Sequence, residues 1–306
     1  MTERERFRGC LVGLACGDAV GTTVEFRDRS SFAPLTDMVG GGPFNLEPGQ
    51  WTDDTSMALC LASSLVEQGT FDPYDQMVRY CRWQEDGYLS STGDCFDIGV
   101  TISAALAQFK RTGNPYSGST DPRSAGNGSI MRLAPAPMFF YPDHRAAIRY
   151  AGESSRTTHG AAECLDACQL LGSMIFKALA GQPKEAILFG DHFPGGLHSR
   201  LSKKIQAIAD GAYRDKLESE IEGSGYVVKS LEAALWCFYQ TDNFRDAILK
   251  AANLGHDADT TAAICGQLAG AYYGEEAIPL SWRLRLTEYN VIVQLAERLL
   301  RTGSNM

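Results

Sequence analysis

Seven glycines on two helical stripes constrain this chain more tightly than any other feature. Gly9, Gly13, Gly17 and Gly21 recur at intervals of four near the start, and Gly266, Gly270 and Gly274 do the same near the end. Inside a helix each glycine costs about 1 kcal/mol relative to alanine. Close approach of two helix backbones would repay that cost, because a bare Cα admits a neighbouring helix where a Cβ would not. The stripes therefore predict two tightly apposed helices, although a glycine at the end of a stripe can also simply terminate its helix.

The rest of the chain agrees with a helical fold. Apolar residues at three-and-four spacing predict helices over 3–20, 54–68, 73–85, 97–111, 143–152, 160–180, 200–210, 227–240, 243–254, 258–273 and 281–301. Strand signals are sparse. Glycine- and proline-rich connections at 34–50, 112–129 and 191–199 are long for a compact domain, and loops of that length tend to carry function. There is no repeat and no linker between compositionally distinct halves, so residues 1–306 read as one all-α domain.

Composition sets outer limits. The chain has 306 residues and a net charge of −9, from 28 basic and 37 acidic side chains, which argues against general attraction to nucleic acid or an anionic membrane. An anionic ligand would need local devices such as metal ions, helix N-termini or glycine turns. Nine cysteines without a CxxC pair point to a reducing cytoplasm. Cys164 and Cys168, four apart on a predicted helix, read as a packed core pair. The N-terminus is charged rather than apolar, unlike a signal sequence, and no apolar run approaches the ~20 residues of a membrane span.

Two acid clusters carry the chemistry. "WTDDTSMALC" (51–60) places Asp53 and Asp54 between Thr52 and Thr55 at the start of a helix. About two hundred residues later, "NLGHDADTTAAICGQLAGAYYG" (253–274) places Asp257, Asp259 and Thr260 at the start of another. Either cluster alone can be a helix cap, since Asp and Thr accept from free N–H groups and suit the dipole. Together they offer four carboxylates and two threonine hydroxyls, an all-oxygen set suited to hard cations such as Mg²⁺ or Mn²⁺. Neither has His and Cys placed to suggest zinc, and spacing alone leaves caps and metal ligands both open.

Seven segments in order resemble the ADP-ribosylglycohydrolase family, with the dinitrogenase reductase-activating branch as the expected nearest kin. They are "GCLVGLACGDAVGTTVEF" (9–26), "GQWTDDTSMAL" (49–59), "FDIGVTISAAL" (96–106), "AGNGSIMRLAPAP" (125–137), "RTTHG" (156–160), "GYVVKSLEAALWCF" (225–238) and the 253–274 block. The resemblance implies a single compact orthogonal helical domain holding two Mg²⁺ or Mn²⁺ ions, with Thr52, Asp53, Asp54, Asp257, Asp259 and Thr260 as ligands. It implies a protein substrate carrying ADP-ribose, usually on arginine, with ADP-ribose as the product of N-glycosidic hydrolysis.

The same resemblance assigns further roles. Asp97 matches an acid/base carboxylate, whereas the residues alone read it as a cap for a helix starting at Ile98. Glu25 lies near the substrate entrance, within reach of ribose or water. Gly126, Asn127, Gly128 and Ser129 form a turn whose N–H groups suit a pyrophosphate, and His159 lies near the phosphates or distal ribose. Tyr226 matches an adenine-stacking aromatic, and Asp18 is expected to be buried and hydrogen-bonded. Two departures stand out: His256 precedes the second acid pair where Gly or Asp is usual, and Val100 replaces an Asn, removing a polar contact near the leaving group. Other ADP-ribose linkages (serine or O-acetyl), or a role in neutralising a cognate ADP-ribosyltransferase toxin, are the competing readings.

Overall fold

The computed structural model describes residues 1–193 and 201–303. Its helices are α1 (Glu3–Gly21), α2 (Asp53–Gln68), α3 (Pro73–Asp86), α4 (Val100–Thr112), α5 (Pro135–Phe139), α6 (His144–Arg156) and α7 (Ala162–Leu179). They continue as α8 (Lys184–Phe189), α9 (Lys203–Ala209), α10 (Val227–Tyr239), α11 (Phe244–Ala252), α12 (Ala258–Tyr273), α13 (Leu280–Arg285) and α14 (Tyr289–Gly303). Among the described residues no strand forms, only the isolated bridges Gly41–Leu46, Ser119–His159 and Gly126–Tyr226. The fold is all-α, as the periodicity predicts.

Local chemistry explains where the helices begin and end. A capping box starts α1: the Glu5 N–H donates to Thr2 Oγ1 (3.2 Å) and the Thr2 N–H donates to Glu5 Oε2 (2.7 Å). Asp72 caps α3 ahead of Pro73. Left-handed Gly69, Gly87 and Gly113 close α2, α3 and α4.

The glycine stripes meet. Helices α1 and α12 run antiparallel through the centre, with Gly9 to Gly21 and Ala258 to Ala271 buried throughout. Burial on all sides marks a central helix, not an amphipathic surface one. A Cβ on Gly9 would overlap the Gly270 carbonyl oxygen; on Gly13, that of Gly266; on Gly17, that of Ala262; on Gly21, that of Ala258. Gly274 differs, since it ends α12 with φ +79°. The register sets the C-terminal end of α1 against the N-terminal end of α12. Helices α2, α7, α10, α11 and α14 pack around this pair, while α2, α3 and α4 share a smaller apolar cluster that includes Met57, Tyr80, Trp83, Ile102 and Phe109.

Several expected boundaries shift. The helix expected over 97–111 begins at Val100, because Asp97 is left-handed (φ 59°) and Gly99 takes the N-cap position without a side-chain bond. Asp97 is therefore not a cap for a helix beginning at Ile98. The segment 281–301 is two helices, α13 and α14, parted where Glu288 turns left-handed. Helices α5 and α8 are too short for a periodic signal. Residues 194–199 of the expected connection, and residue 200 of the expected helix, lie outside the described residues. All nine cysteines are unpaired; Cys164 and Cys168 pack beneath the 126–129 turn, with Cys164 Sγ 3.3 Å from the Gly126 carbonyl oxygen and Cys168 Sγ 3.5 Å from Ser129 Oγ.

Candidate functional site

The two acid clusters face each other across the N-termini of α2 and α12, and neither N-cap residue caps its helix; Asp259 Oδ1 alone takes a first-turn N–H, that of Thr260 at 2.6 Å. Asp18, on α1, serves α2 instead. The Thr52 N–H and Oγ1 each donate to Asp18 Oδ1 (2.9 Å), and the Thr55 N–H (3.0 Å) and Oγ1 (2.6 Å) donate to Oδ2. Glu25, just past α1, serves α12: the Ala258 N–H (2.6 Å) and Asp259 N–H (3.2 Å) donate to its Oε2. Capping from outside leaves the helices' own carboxylates free to converge. That geometry speaks against the cap reading at the N-cap positions, because Thr52 and Asp257 stand there without capping bonds.

What converges is an array of acceptors. Thr52 Oγ1 lies 2.9 Å from Asp18 Oδ1, 3.2 Å from Asp54 Oδ2 and 3.4 Å from Asp259 Oδ2, and Thr260 Oγ1 lies 3.4 Å from Asp54 Oδ2. A hydroxyl has one hydrogen, so Thr52 can serve only one of its three carboxylate neighbours. Asp54 Oδ1 is buried with no partner at all. Asp18, Asp54 and Asp259 each bring an oxygen within 4.8 Å of the others, as do Glu25, Asp257 and Asp259, so Asp259 belongs to both groups. Among the described residues no lysine or arginine pairs with any of these carboxylates, nor with Asp53 or Asp97. Oxygen-rich, buried and uncompensated, the donor set fits hard divalent cations.

Electrostatics says the same. Burial, with repulsion from Asp257, pushes the Glu25 carboxyl up to about 8. Burial, with repulsion from Asp18 and Asp257, pushes Asp97 up to about 7. Asp18 rises to about 6 by burial, its threonine bonds opposing the shift. Burial first, then neighbouring carboxylates, raises Asp53, Asp54 and Asp259 well above the usual range. Burial also raises Asp257, against the bond it accepts from Asn127 Nδ2 at 3.0 Å.

A cavity of about 390 Å³ opens over this array. Of the residues expected from the sequence, Glu25, Asp53, Asp97, Gly126, Asn127, Gly128, His159, Asp257, Asp259 and Thr260 line it. Thr52 and Asp54 do not line it; both are buried, beside Asp259. The Ser129 hydroxyl is turned into the core beside Cys168, so that residue offers only its backbone. Tyr226 occupies an adjoining depression that shares Thr101, Gly126 and Gly225 with the cavity. Its hydroxyl bonds Glu163 and Lys204, both at 2.6 Å, and Lys204 Nζ lies 4.9 Å from its ring centroid. Phe26, Phe44 and Phe96 cluster at the mouth, and Val100 is 87% exposed there. His256 is left-handed (φ 58°), which explains how a position usually held by Gly or Asp accepts it. Its N–H donates to the Arg27 carbonyl, and its own carbonyl accepts from the Phe26 N–H, both at 2.7 Å.

Sequence reasoning passed over Arg132 and Thr158, which lie directly behind the glycine turn. A basic residue inside the apolar stretch "IMRLAPAP" is the signal that marks the first.

Fold and site together define an all-α protein that walls a ligand cavity with carboxylates at two opposed helix N-termini and closes it with a glycine turn. The family model for ADP-ribosylglycohydrolase matches residues 1–305, and the chain belongs to that family. It is 44% identical over 295 residues to the ADP-ribosylarginine hydrolase Tri1 of Serratia proteamaculans, covering 96% of this chain and 79% of that one. Identity to the ADP-ribosyl-[dinitrogen reductase] glycohydrolase of Rhodospirillum rubrum is 30%, over 92% of this chain and 90% of that one, so the chain stands nearer the arginine hydrolase than this member of the expected branch. A solved structure described as an ADP-ribosylglycohydrolase-related protein complex superposes with a TM-score of 0.87 at 42% identity, over 98% of this chain and 99% of that one.

Proposed function

We propose that this protein hydrolyses the N-glycosidic bond joining ADP-ribose to arginine side chains of modified proteins, with two Mg²⁺ or Mn²⁺ ions in the cavity. The observation that carries the reading is the uncompensated carboxylate array, present in a chain so similar to a named ADP-ribosylarginine hydrolase. Thr52, Asp53, Asp54, Asp257, Asp259 and Thr260 would hold the cations, and the membership of Asp259 in both oxygen groups supports two neighbouring ions. When bound, such ions would orient the substrate and lower the pKa of a water towards neutrality.

The chain's own residues supply the rest. The bond from ribose C1 to the guanidine nitrogen breaks, a bond from C1 to the water oxygen forms, and one proton passes from water to the departing guanidine. Asp97 suits that transfer, because its carboxyl faces the cavity from outside both helices and titrates close to neutrality. Glu25 is held rigid by the backbone of α12 and lines the same cavity, where it can orient the water or the ribose. The turn at 126–129 and His159 would receive the diphosphate, and Tyr226 the adenine. Unpaired cysteines throughout fit a cytoplasmic setting, and among the described residues no helix is long and apolar enough to cross a membrane.

Incubation with an arginine-ADP-ribosylated protein tests the reading. Free ADP-ribose should appear with Mg²⁺ or Mn²⁺ and not with chelator. Release from serine-linked peptides alone would refute the arginine assignment.

A further inference from the structure

Behind the glycine turn lies a cation with no anionic partner. Arg132 is 1% exposed, and among the described residues no carboxylate pairs with it. Its guanidinium donates to neutral oxygens instead: Nη1 to the Gly128 carbonyl (2.6 Å), and Nη2 to Thr158 Oγ1 (2.7 Å) and Thr157 Oγ1 (3.3 Å). The ring of Tyr80 lies 4.8 Å away. Burying an unpaired charge is expensive. An anion held nearby would offset that cost.

Counting donors locates a proton. A guanidinium only donates, so Thr158 Oγ1 accepts from Arg132 and keeps one hydrogen of its own. His159 Nδ1, 2.9 Å away, is the acceptor that hydrogen has. Were Nδ1 protonated, it would donate to the same oxygen and leave the buried hydroxyl hydrogen without a partner. Nδ1 therefore accepts, and the neutral ring carries its hydrogen on Nε2. The ring is neutral because burial and the Arg132 charge push it down to about 3.

Nε2 lies against the turn, where a Cβ on Gly126 would stand 3.3 Å from it and one on Gly128 3.2 Å. Among the described residues neither the Gly128 nor the Ser129 N–H has a protein acceptor. The Gly128 carbonyl points to Arg132. Across that trans peptide the Ser129 N–H points the opposite way.

We propose that Arg132 is a positioning residue which, through Thr158, holds His159 with its Nε2 hydrogen facing the cavity, so that this hydrogen and the turn's N–H groups form the seat for a ligand's diphosphate. The proposal rests on the ADP-ribosyl reading above. Placing the cation behind neutral dipoles gives the seat a positive field while keeping the guanidinium from pairing with the carboxylates across the cavity.

The test combines nitrogen-15 NMR of the His159 ring in ligand-free protein with calorimetry using ADP-ribose and adenosine. Wild type should show the Nε2–H tautomer, and Thr158→Ser should keep it. Thr158→Val should lose it and bind ADP-ribose roughly tenfold more weakly, the scale of one hydrogen bond to a charged group, with adenosine affinity unchanged. Equal weakening of both ligands would indicate a merely structural role and overturn the proposal. An Nδ1–H ring in wild-type protein that binds ADP-ribose would overturn the Arg132 relay alone. Failure of wild type to bind ADP-ribose would overturn the diphosphate seat together with the ADP-ribosyl reading.

Discussion

Gly13→Ala probes the seam on which the site depends. On an isolated helix the change is favourable by about 1 kcal/mol. Here the added Cβ would overlap the Gly266 carbonyl oxygen, and would stand 3.1 Å from Gly270 Cα and 3.1 Å from Phe244 Cε2. Two of those three neighbours are backbone and cannot rotate away, so α1 and α12 must part by roughly 1 Å to restore ordinary contact distances. Overpacking of this kind costs about 1–3 kcal/mol. Set against the propensity gain, the net loss is at most about 2 kcal/mol, and for a chain of this size Tm should fall by up to about 8 °C. Gly99→Ala is the control, since nothing lies within 4 Å of the Cβ it would carry. Scanning calorimetry in chelator and in Mn²⁺ reads both consequences. Because the seam places the N-terminus of α12 against Glu25 and Asp18, the stabilisation by Mn²⁺ should shrink as well. A Tm above that of wild type, as the propensity gain alone would give, with the Mn²⁺ effect intact, would refute the reasoning and leave the glycines as passengers.

Three further outcomes follow from the site. Metal-free protein should lose stability as pH rises from about 4 towards 8, because Asp18, Asp97 and Glu25 are raised to about 6, 7 and 8 in the fold and favour it only while protonated. Added Mg²⁺ should restore stability at the alkaline end in calorimetric scans, but not in an Asp54→Ala, Asp259→Ala double variant. Asp97→Asn should still bind cations and ADP-ribose while single-turnover cleavage slows by about 10²–10⁴-fold, the scale of one acid/base group; near-normal cleavage would remove Asp97 from the chemistry. Tyr226→Ala should weaken ADP-ribose binding by about 1–3 kcal/mol, measured by calorimetry, whereas Tyr226→Phe should keep the ring face and lose only the hydroxyl bonds to Glu163 and Lys204.

The chain by itself determined the helices, the glycine seam, the two acid-bearing helix starts and the glycine turn, because each is a local pattern: a periodicity, a spacing or a short motif. The tertiary structure decided which groups satisfy those helix starts. Asp18 reaches Thr52 from 34 residues away and Glu25 reaches Ala258 from 233, and no local propensity encodes a cap supplied from that distance. Asp97 was legible as a residue of interest, but its departure from the helix was not, since the left-handed turn that frees it depends on how the segment docks and not on its own side chain. Arg132 and Thr158 were passed over for a similar reason. An arginine in an apolar run looks like an interruption until the fold wraps two threonines and a glycine carbonyl around it, because the hydrogen-bond partners that make a buried charge tolerable come from segments that only tertiary packing brings together.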